Sequence, residues 1–501
     1  MDFSGLLHYN CLMTFNSYSF ILIFLPICVI GYNLLKKCGR EWLPKVFLLA
    51  MSLIFYGFGN KKALLILLVS LCLNYLISIL LRKNLNAAIA KIILGAGIVI
   101  DLAALIYFKY LTFFGGILNS IFKTAFTIES LLIPLGISFY TFSQIAYLVD
   151  CYRDSSLHVS FLDYAVFVTF FPKITVGPIA LCTDMIKEIN ETIRNRFDYE
   201  RLSKGLIGLS FGLAKKVLIA DNLSKYVDFG YSHIEMLGST NAAIVMLAYT
   251  LQIYFDFSGY CDIARSICLM LGFDLPVNFN SPYRALSITD FWKRWHITLT
   301  NFFRRYLYIP LGGNRKGKFR TYLNNFLIFL ISGLWHGANL TFLIWGAIHG
   351  IGIIISKLIG GFTKKLPVAV RFIITFIFIN LSWVVFRAPD INTALTFYKE
   401  LFTGGLVPVN IEFIAASTPS MCNIIQWLIL EFTSINTYWS GLVIIMALLL
   451  FSLYASIFMK NTDERIETFK PSGRLIAACT VLLILSILSL SEVSKFIYVN
   501  F

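Results

Sequence analysis

Long apolar runs recur along this 501-residue chain, and they restrict what it can fold into more than any other feature. They lie at 21–35, 46–59, 63–81, 92–108, 131–149, 242–255, 372–386, 442–459 and 475–490, and one longer run covers 322–356. A helix rises 1.5 Å per residue, so roughly 20 apolar residues span the hydrocarbon core of a bilayer. Only helices and closed barrels satisfy their backbone hydrogen bonds there. The expected fold is therefore all-α and polytopic, with about ten to thirteen membrane-embedded helices.

Composition agrees. The chain is 58% hydrophobic and 14% charged, against the quarter or so of charged residues usual in soluble domains. Its net charge of +15 sits in loops beside the spans, where basic residues orient a membrane protein and meet anionic lipid, so nucleic acid is not an expected partner. The ten cysteines are scattered in or beside apolar runs without a C-x-x-C pair, as small buried residues are, and no metal site is expected. The first basic pair, Lys36-Lys37, follows the first apolar run instead of preceding it, which is the reverse of a cleavable signal and places the N-terminus outside.

One membrane domain over 1–501 is the simplest organisation, with its chemistry concentrated near 251–350. The stretch 184–204 is polar with apolar residues at helical spacing, and reads as a surface helix. In "IYFDFSGYCDIARS", Asp256 and Asp262 interrupt apolar sequence. Between Arg284 and Arg320 nine Lys/Arg face a single acid, Asp290, which assigns that segment to the cytoplasmic face. There, Thr289 or Asp290 is placed to cap a helix over 291–308 with Trp292 and Trp295 on its apolar side and Arg294, Arg304 and Arg305 elsewhere, the pattern of an interfacial helix.

The 35 residues from 322 to 356 carry no charge, about 15 more than one span requires. Gly333, Gly337 and Asn339 predict a break near the middle, beside His336. Ionisable groups at membrane depth mark functional sites often enough to make His336 the first candidate. A desolvated neutral imidazole can take a proton from a hydroxyl attacking an acyl carbonyl, while N–H groups at a helix break or the Asn339 amide stabilise the oxyanion. The competing reading is a histidine hydrogen-bonded between helices. His349, in Gly-rich sequence, suggests close helix packing, and His296 has a local hydrogen bond as its simplest explanation; His8, His158 and His233 lie in polar or terminal sequence. H-E-x-x-H, Walker A and G-x-S-x-G patterns do not occur. From the residues alone, an enzyme and a transporter with a histidine proton site both stand.

Three ordered stretches, "YFDFSGYCDIA", "PVNFNSPYRALSITDFWKRWHITLTNFFRRYLYIPLGGN" and "GLWHGANLTFLIWG", together resemble the membrane-bound O-acyltransferases, nearest to the bacterial alginate and peptidoglycan O-acetyltransferases. "MTFNSYSFILIFLP", "IPLGISFYTFSQIAYLVDCYR" and the terminal "FIYVNF" extend the resemblance over nearly the whole chain and suggest a start at Met13. The resemblance implies a ring of helices around a thin central region with a tunnel, in the bacterial cytoplasmic membrane. It implies His336 as the essential residue and His296 as a second catalytic residue. Trp335 and Asn339 would shape the pocket, with Trp292, Trp295, Arg294, Asp256 and Ser258 in its framework. It implies an acyl thioester such as acetyl-coenzyme A as donor and no bound cofactor. The partners it implies are a serine-hydrolase-like extracytoplasmic acetyltransferase, the polysaccharide machinery, or an acyl carrier protein. D-alanyl transfer to teichoic acid is the alternative within the family. Where that pattern has an acid after the arginine of F-R-D-Y, this chain has Arg305, which with "GGNRKGKFR" makes a more basic mouth suited to an acidic donor.

Overall fold

The computed structural model describes residues 13–58, 60–83, 86–124, 133–409, 437–490 and 496–497; the first twelve residues, with His8 and the question of a start at Met13, lie outside them. Among the described residues every regular element is helical. Six helices are long and apolar enough to cross a membrane (Ser19–Lys36, Lys61–Arg82, Ala87–Phe122, Gly238–Leu271, Leu340–Leu358 and Val368–Arg387), and three shorter apolar helices join them. Their outward faces carry exposed Leu, Ile, Val and Phe, as lipid-facing surfaces do. The eight cysteines described are free, six of them buried.

By their contacts the described residues form two compact units. The first comprises the described residues within 13–209 and 263–276, the second those within 210–262 and 277–497. In the first unit, α1 (Leu25–Lys36), α2 (Trp42–Gly57), α3 (Lys61–Arg82), α4 (Ala87–Leu105), α5 (Ile137–Arg153) and α6 (Phe161–Thr169) follow in order. Helix α5 packs on α3 and α4 and is buried from Ile137 to Leu148. Polar side chains cross between these helices: Ser70 Oγ donates to Gln144 Oε1 at 2.9 Å, and Asn74 Nδ2 to Asp101 Oδ1 at 2.7 Å. With no water at that depth, such bonds keep buried polar atoms satisfied and fix helix register. The polar stretch read as one surface helix is two, α7 (Cys182–Arg194) and α8 (Tyr199–Leu213). Asp198 starts the second by accepting from the N–H groups of Glu200 and Arg201.

The second unit draws on α9 (Gly238–Leu271) as far as Asp262, and on α10 (Ile288–Phe291), α11 (Ile297–Phe303), α12 (Gly317–His336), α13 (Leu340–Leu358) and α14 (Val368–Arg387). The acids that interrupt apolar sequence in α9 are ion-paired. Lys216 Nζ lies 2.7 Å from Asp256, and Lys215 Nζ lies 2.6 Å from Asp262. The adjacent lysines sit in a wide helical turn, Ala214–Ala220, that points both toward α9. Asp256 also accepts the N–H of Ile497.

Two expectations are corrected. The segment 291–308 is not one interfacial helix. Ser287 rather than Thr289 or Asp290 caps α10, its Oγ accepting from Asp290 N at 3.1 Å. The chain then breaks over 292–296, His296 takes φ +46°, and α11 starts afresh. Trp292, Trp295 and His296 are buried in the unit's core instead of lying at a surface. A 3.6-residue period cannot report a left-handed residue, so the aromatic spacing looked continuous. The second correction concerns 322–356. The break is a full reversal. Helix α12 ends at His336, Gly337 is extended, and α13 starts at Leu340 and runs back along α12.

Glycines set the spacing of that hairpin. A Cβ on Gly333 would lie 2.2 Å from the Phe342 carbonyl oxygen, one on Gly346 would lie 2.3 Å from that of Phe329, and Gly350 abuts Phe326. Descending positions on one helix meet ascending positions on the other, which makes the pair antiparallel. Small residues let membrane helices approach backbone to backbone. Gly346→Val is accordingly expected to destabilise the protein by at least about 1–3 kcal/mol through overpacking. Gly361→Ala, in open space, should leave it unchanged. Thermal unfolding in detergent checks both, and equal midpoints for the two variants would refute the close contact.

Candidate active site

His336 is the last residue of α12, and the chain that leaves it is shaped by its sequence. Gly337 has no room for a side chain, since a Cβ would fall 2.1 Å from the Phe342 ring. Asn339 caps α13, its Oδ1 accepting from Thr341 N at 3.1 Å, and its amide donates to the Pro389 carbonyl. Both polar ends of Asn339 thus hold the reversal in place. The imidazole of His336 is buried in an aromatic box, with ring centroids of Trp335 at 4.9 Å and of Trp345 and Phe386 at 5.2 Å each.

Trp335 is shared with a second buried histidine, its ring centroid lying 6.1 Å from that of His296. His296 stands at the N-cap of α11, in edge contact with Phe257 at 4.8 Å. Its Nδ1 is 3.1 Å from Asn278 Oδ1. Burial pushes its pKa from 6.5 down to about 3, so the ring is neutral. A left-handed φ in a residue with a side chain costs on the order of 1–2 kcal/mol and persists only where its surroundings fix it. Here the Asn278 carbonyl accepts from Ile297 N, and the Arg294 carbonyl accepts from Asn280 N, so 278–280 and 294–297 lie clamped side by side.

His349 completes a row of buried imidazoles but is bonded on both sides. Trp292 Nε1 donates to its Nδ1 at 3.2 Å, and its Nε2 is 3.0 Å from Ser382 Oγ. Trp345 lies between it and His336. The glycine-lined packing expected around His349 is present in the α12–α13 hairpin.

The structure thus brings His296, Trp335 and His336 together, with Trp292 joined to them through Trp345, and Trp295 through Trp383, which stacks on Trp345. Asp256 is held by Lys216, and Ser258 is a buried hydroxyl on the same helix. Arg294 is half-exposed and pairs with Asp290 at 3.0 Å, and Arg305 is exposed over the Tyr306 ring. Sequence reasoning missed Asn278, Trp345, Ser382 and Phe386. Asn278 carries no charge and no period, and only its place in "VNFN" ahead of the histidine segment was visible. No cluster of metal-ligating side chains occurs among the described residues.

Replacing His349 by leucine leaves the Trp292 N–H without its acceptor, and an unsatisfied buried donor costs about 1–3 kcal/mol. A melting curve in detergent should show that loss; an unchanged midpoint would mean the bridge contributes nothing to folding.

Comparison with known proteins bears on what such a site does. The family model described as "MBOAT, membrane-bound O-acyltransferase family" matches residues 52–393. A peptidoglycan O-acetyltransferase from Helicobacter pylori is 40% identical over 428 residues, covering 79% of this chain and 80% of its own. A probable alginate O-acetylase from Pseudomonas aeruginosa is 38% identical over 400 residues, covering 78% and 75%. A teichoic acid D-alanyltransferase from Bacillus subtilis is 27% identical over 272 residues, covering 50% and 68%. The choice between enzyme and transporter, open on the buried histidine alone, falls to the enzyme: this chain belongs to the membrane-bound O-acyltransferase family and is a multi-pass integral membrane acyltransferase.

Proposed function

We propose that the protein moves an acetyl group from a cytoplasmic thioester, acetyl-coenzyme A, toward hydroxyls of an extracytoplasmic polysaccharide, with His336 taking the proton of the attacking oxygen. The observation that carries this reading is the place of His336, a buried imidazole at a helix reversal, walled by Trp335, Trp345 and Phe386. A hydroxyl oxygen that attacks the thioester carbonyl must lose its proton as the C–O bond forms. An imidazole nitrogen with its lone pair toward that hydroxyl can take the proton, and such general-base assistance is worth about 10²–10⁴ in rate. The thiolate then leaves and takes up a proton. Aromatic walls exclude water, which would otherwise compete as the attacking hydroxyl. His296, across Trp335, assists on the donor side.

The acetyl reading rests on the extent of similarity. Proteins named for O-acetylation of peptidoglycan and alginate match over more than three quarters of this chain, while the D-alanyltransferase matches over half. Acetylation outside the cell implies a bacterial cytoplasmic membrane location, and a separate extracytoplasmic acetyltransferase of serine-hydrolase type receives the group. Arg305 and the exposed Arg315, Lys316 and Lys318 of the basic turn suit the phosphates of the donor.

In cells carrying His336→Ala, alkali-releasable acetate on the envelope polysaccharide should fall to background. Normal acetate at normal protein levels overturns the reading, and loss of D-alanine esters with acetate intact transfers it to the alternative substrate. Arg305→Glu combined with Lys316→Glu should raise KM for acetyl-coenzyme A several-fold at low salt while kcat holds. A KM indifferent to these charges would remove the basic mouth from donor binding.

A further inference from the structure

Asn278 makes four side-chain contacts, and they determine where the protons on His296 are. Its Oδ1 lies 3.2 Å from Thr298 N, 2.9 Å from Thr298 Oγ1 and 3.1 Å from His296 Nδ1. Its Nδ2 lies 3.2 Å from Cys261 Sγ. A backbone N–H can only donate, so the Asn278 atom that faces Thr298 N is the oxygen. A flipped amide would set NH₂ against that N–H, so the orientation is over-determined. An amide oxygen can only accept, which means the His296 nitrogen facing it carries a hydrogen.

We infer that Asn278 is a positioning residue that holds His296 as the Nδ1–H tautomer and leaves Nε2 as its basic atom. The inference rests on the reading that His296 takes part in the transfer. His349 provides the opposite case in the same unit. Trp292 Nε1 can only donate, so His349 Nδ1 is the acceptor and its Nε2 carries the hydrogen. Ser382 Oγ gives its own hydrogen to the Ile379 carbonyl at 2.8 Å, which leaves it free to accept from that Nε2–H. Two buried histidines are thus locked in opposite tautomers by groups whose donor or acceptor roles cannot change.

The same clamp sets the ring's direction. The Asn278 carbonyl bonds Ile297 N while its side chain bonds Thr298, so the residues after His296 are held at both bonds and His296 is carried in its left-handed turn. A base that must take a proton from a hydroxyl, or return one to a thiolate, works only if its lone pair is on the reacting side. A histidine free to choose its tautomer would hold that lone pair against Asn278 part of the time.

The test is nitrogen-15 NMR of full-length protein in nanodiscs with labelled histidine at neutral pH. His296 and His349 are assigned by the resonances lost in His296→Gln and His349→Gln. The expected result is Nδ1 protonated and Nε2 bare in His296, with the reverse in His349. A His296 found protonated at Nε2, or as the imidazolium, overturns the inference. Asn278→Asp keeps an acceptor against Nδ1 and should keep the tautomer and most activity. Asn278→Leu should lose the single tautomer and lower kcat for thiol release from acetyl-coenzyme A several-fold, since the lone pair then faces the reacting side only part of the time, with KM within about twofold; this is less than the about 10²–10⁴ that removal of a general base costs. Unchanged tautomer and kcat in Asn278→Leu would also overturn it. Full activity in His296→Ala defeats the role of His296 instead, and leaves the tautomer assignment to stand or fall on the spectrum.

Discussion

The backbone of Gly346 lies so close to the Phe329 carbonyl that only hydrogen fits between them. Much of the site follows from this contact. With Gly333 and Gly350 it draws α12 and α13 together over several turns, and that close approach directs side chains elsewhere on the two helices into shared aromatic layers. Trp335 and His336 come from the end of α12, Trp345 and His349 from α13, and Trp383 and Phe386 from α14 close the same cluster. In a bilayer there is no hydrophobic drive to press helices together, since lipid tails are as apolar as leucine. Backbone proximity and dispersion have to supply the order instead. A site built this way is rigid because its spacing is set by main chain, not by adjustable side chains.

Around that hairpin, charged and polar groups are fixed in pairs. Lys216 with Asp256, Lys215 with Asp262 and Thr462, and Asn278 with His296 and Thr298 each bind one segment to another inside the second unit. Buried ion pairs contribute little net stability over apolar contacts, yet breaking one strands a charge at a cost of about 3–5 kcal/mol. Their use here is registration. Asp256 ties α9 to the turn at Ala214–Ala220 and to Ile497, and Phe257, its neighbour, presents its ring to His296.

How far the sequence disclosed this differs by residue. Apolar runs specify helices because length and hydropathy are local properties, and the class of fold followed from them. Gly337 and Asn339 announced a break because both have local reasons to end a helix. What they did not disclose was that the chain reverses, since only the partner positions Phe329 and Phe342 reveal why the glycines are there. The 291–308 segment misled for a related reason. Trp292, Trp295 and Leu299 keep a helical period straight across a residue at φ +46°, and that conformation is imposed by Asn278, whose bonds cross 18 to 20 sequence positions. His336 could be picked out by its isolation in apolar sequence, but Trp345 and Phe386, equally part of its walls, look like ordinary span residues.

Trp335 is the element through which the two histidines bear on each other. Its ring is in contact with both, so neither imidazole can turn toward the other's side without displacing an indole buried on all faces. On the proposed chemistry, such a wall lets two bases work on one reaction without exchanging protons directly. It also sets an apolar ring face beside each imidazole. Acyl transfer needs both conditions, because a thioester held near a competent base hydrolyses whenever water reaches it first. Separating the two imidazoles by an indole instead of a polar residue would, on the proposed chemistry, favour transfer over hydrolysis through geometry alone.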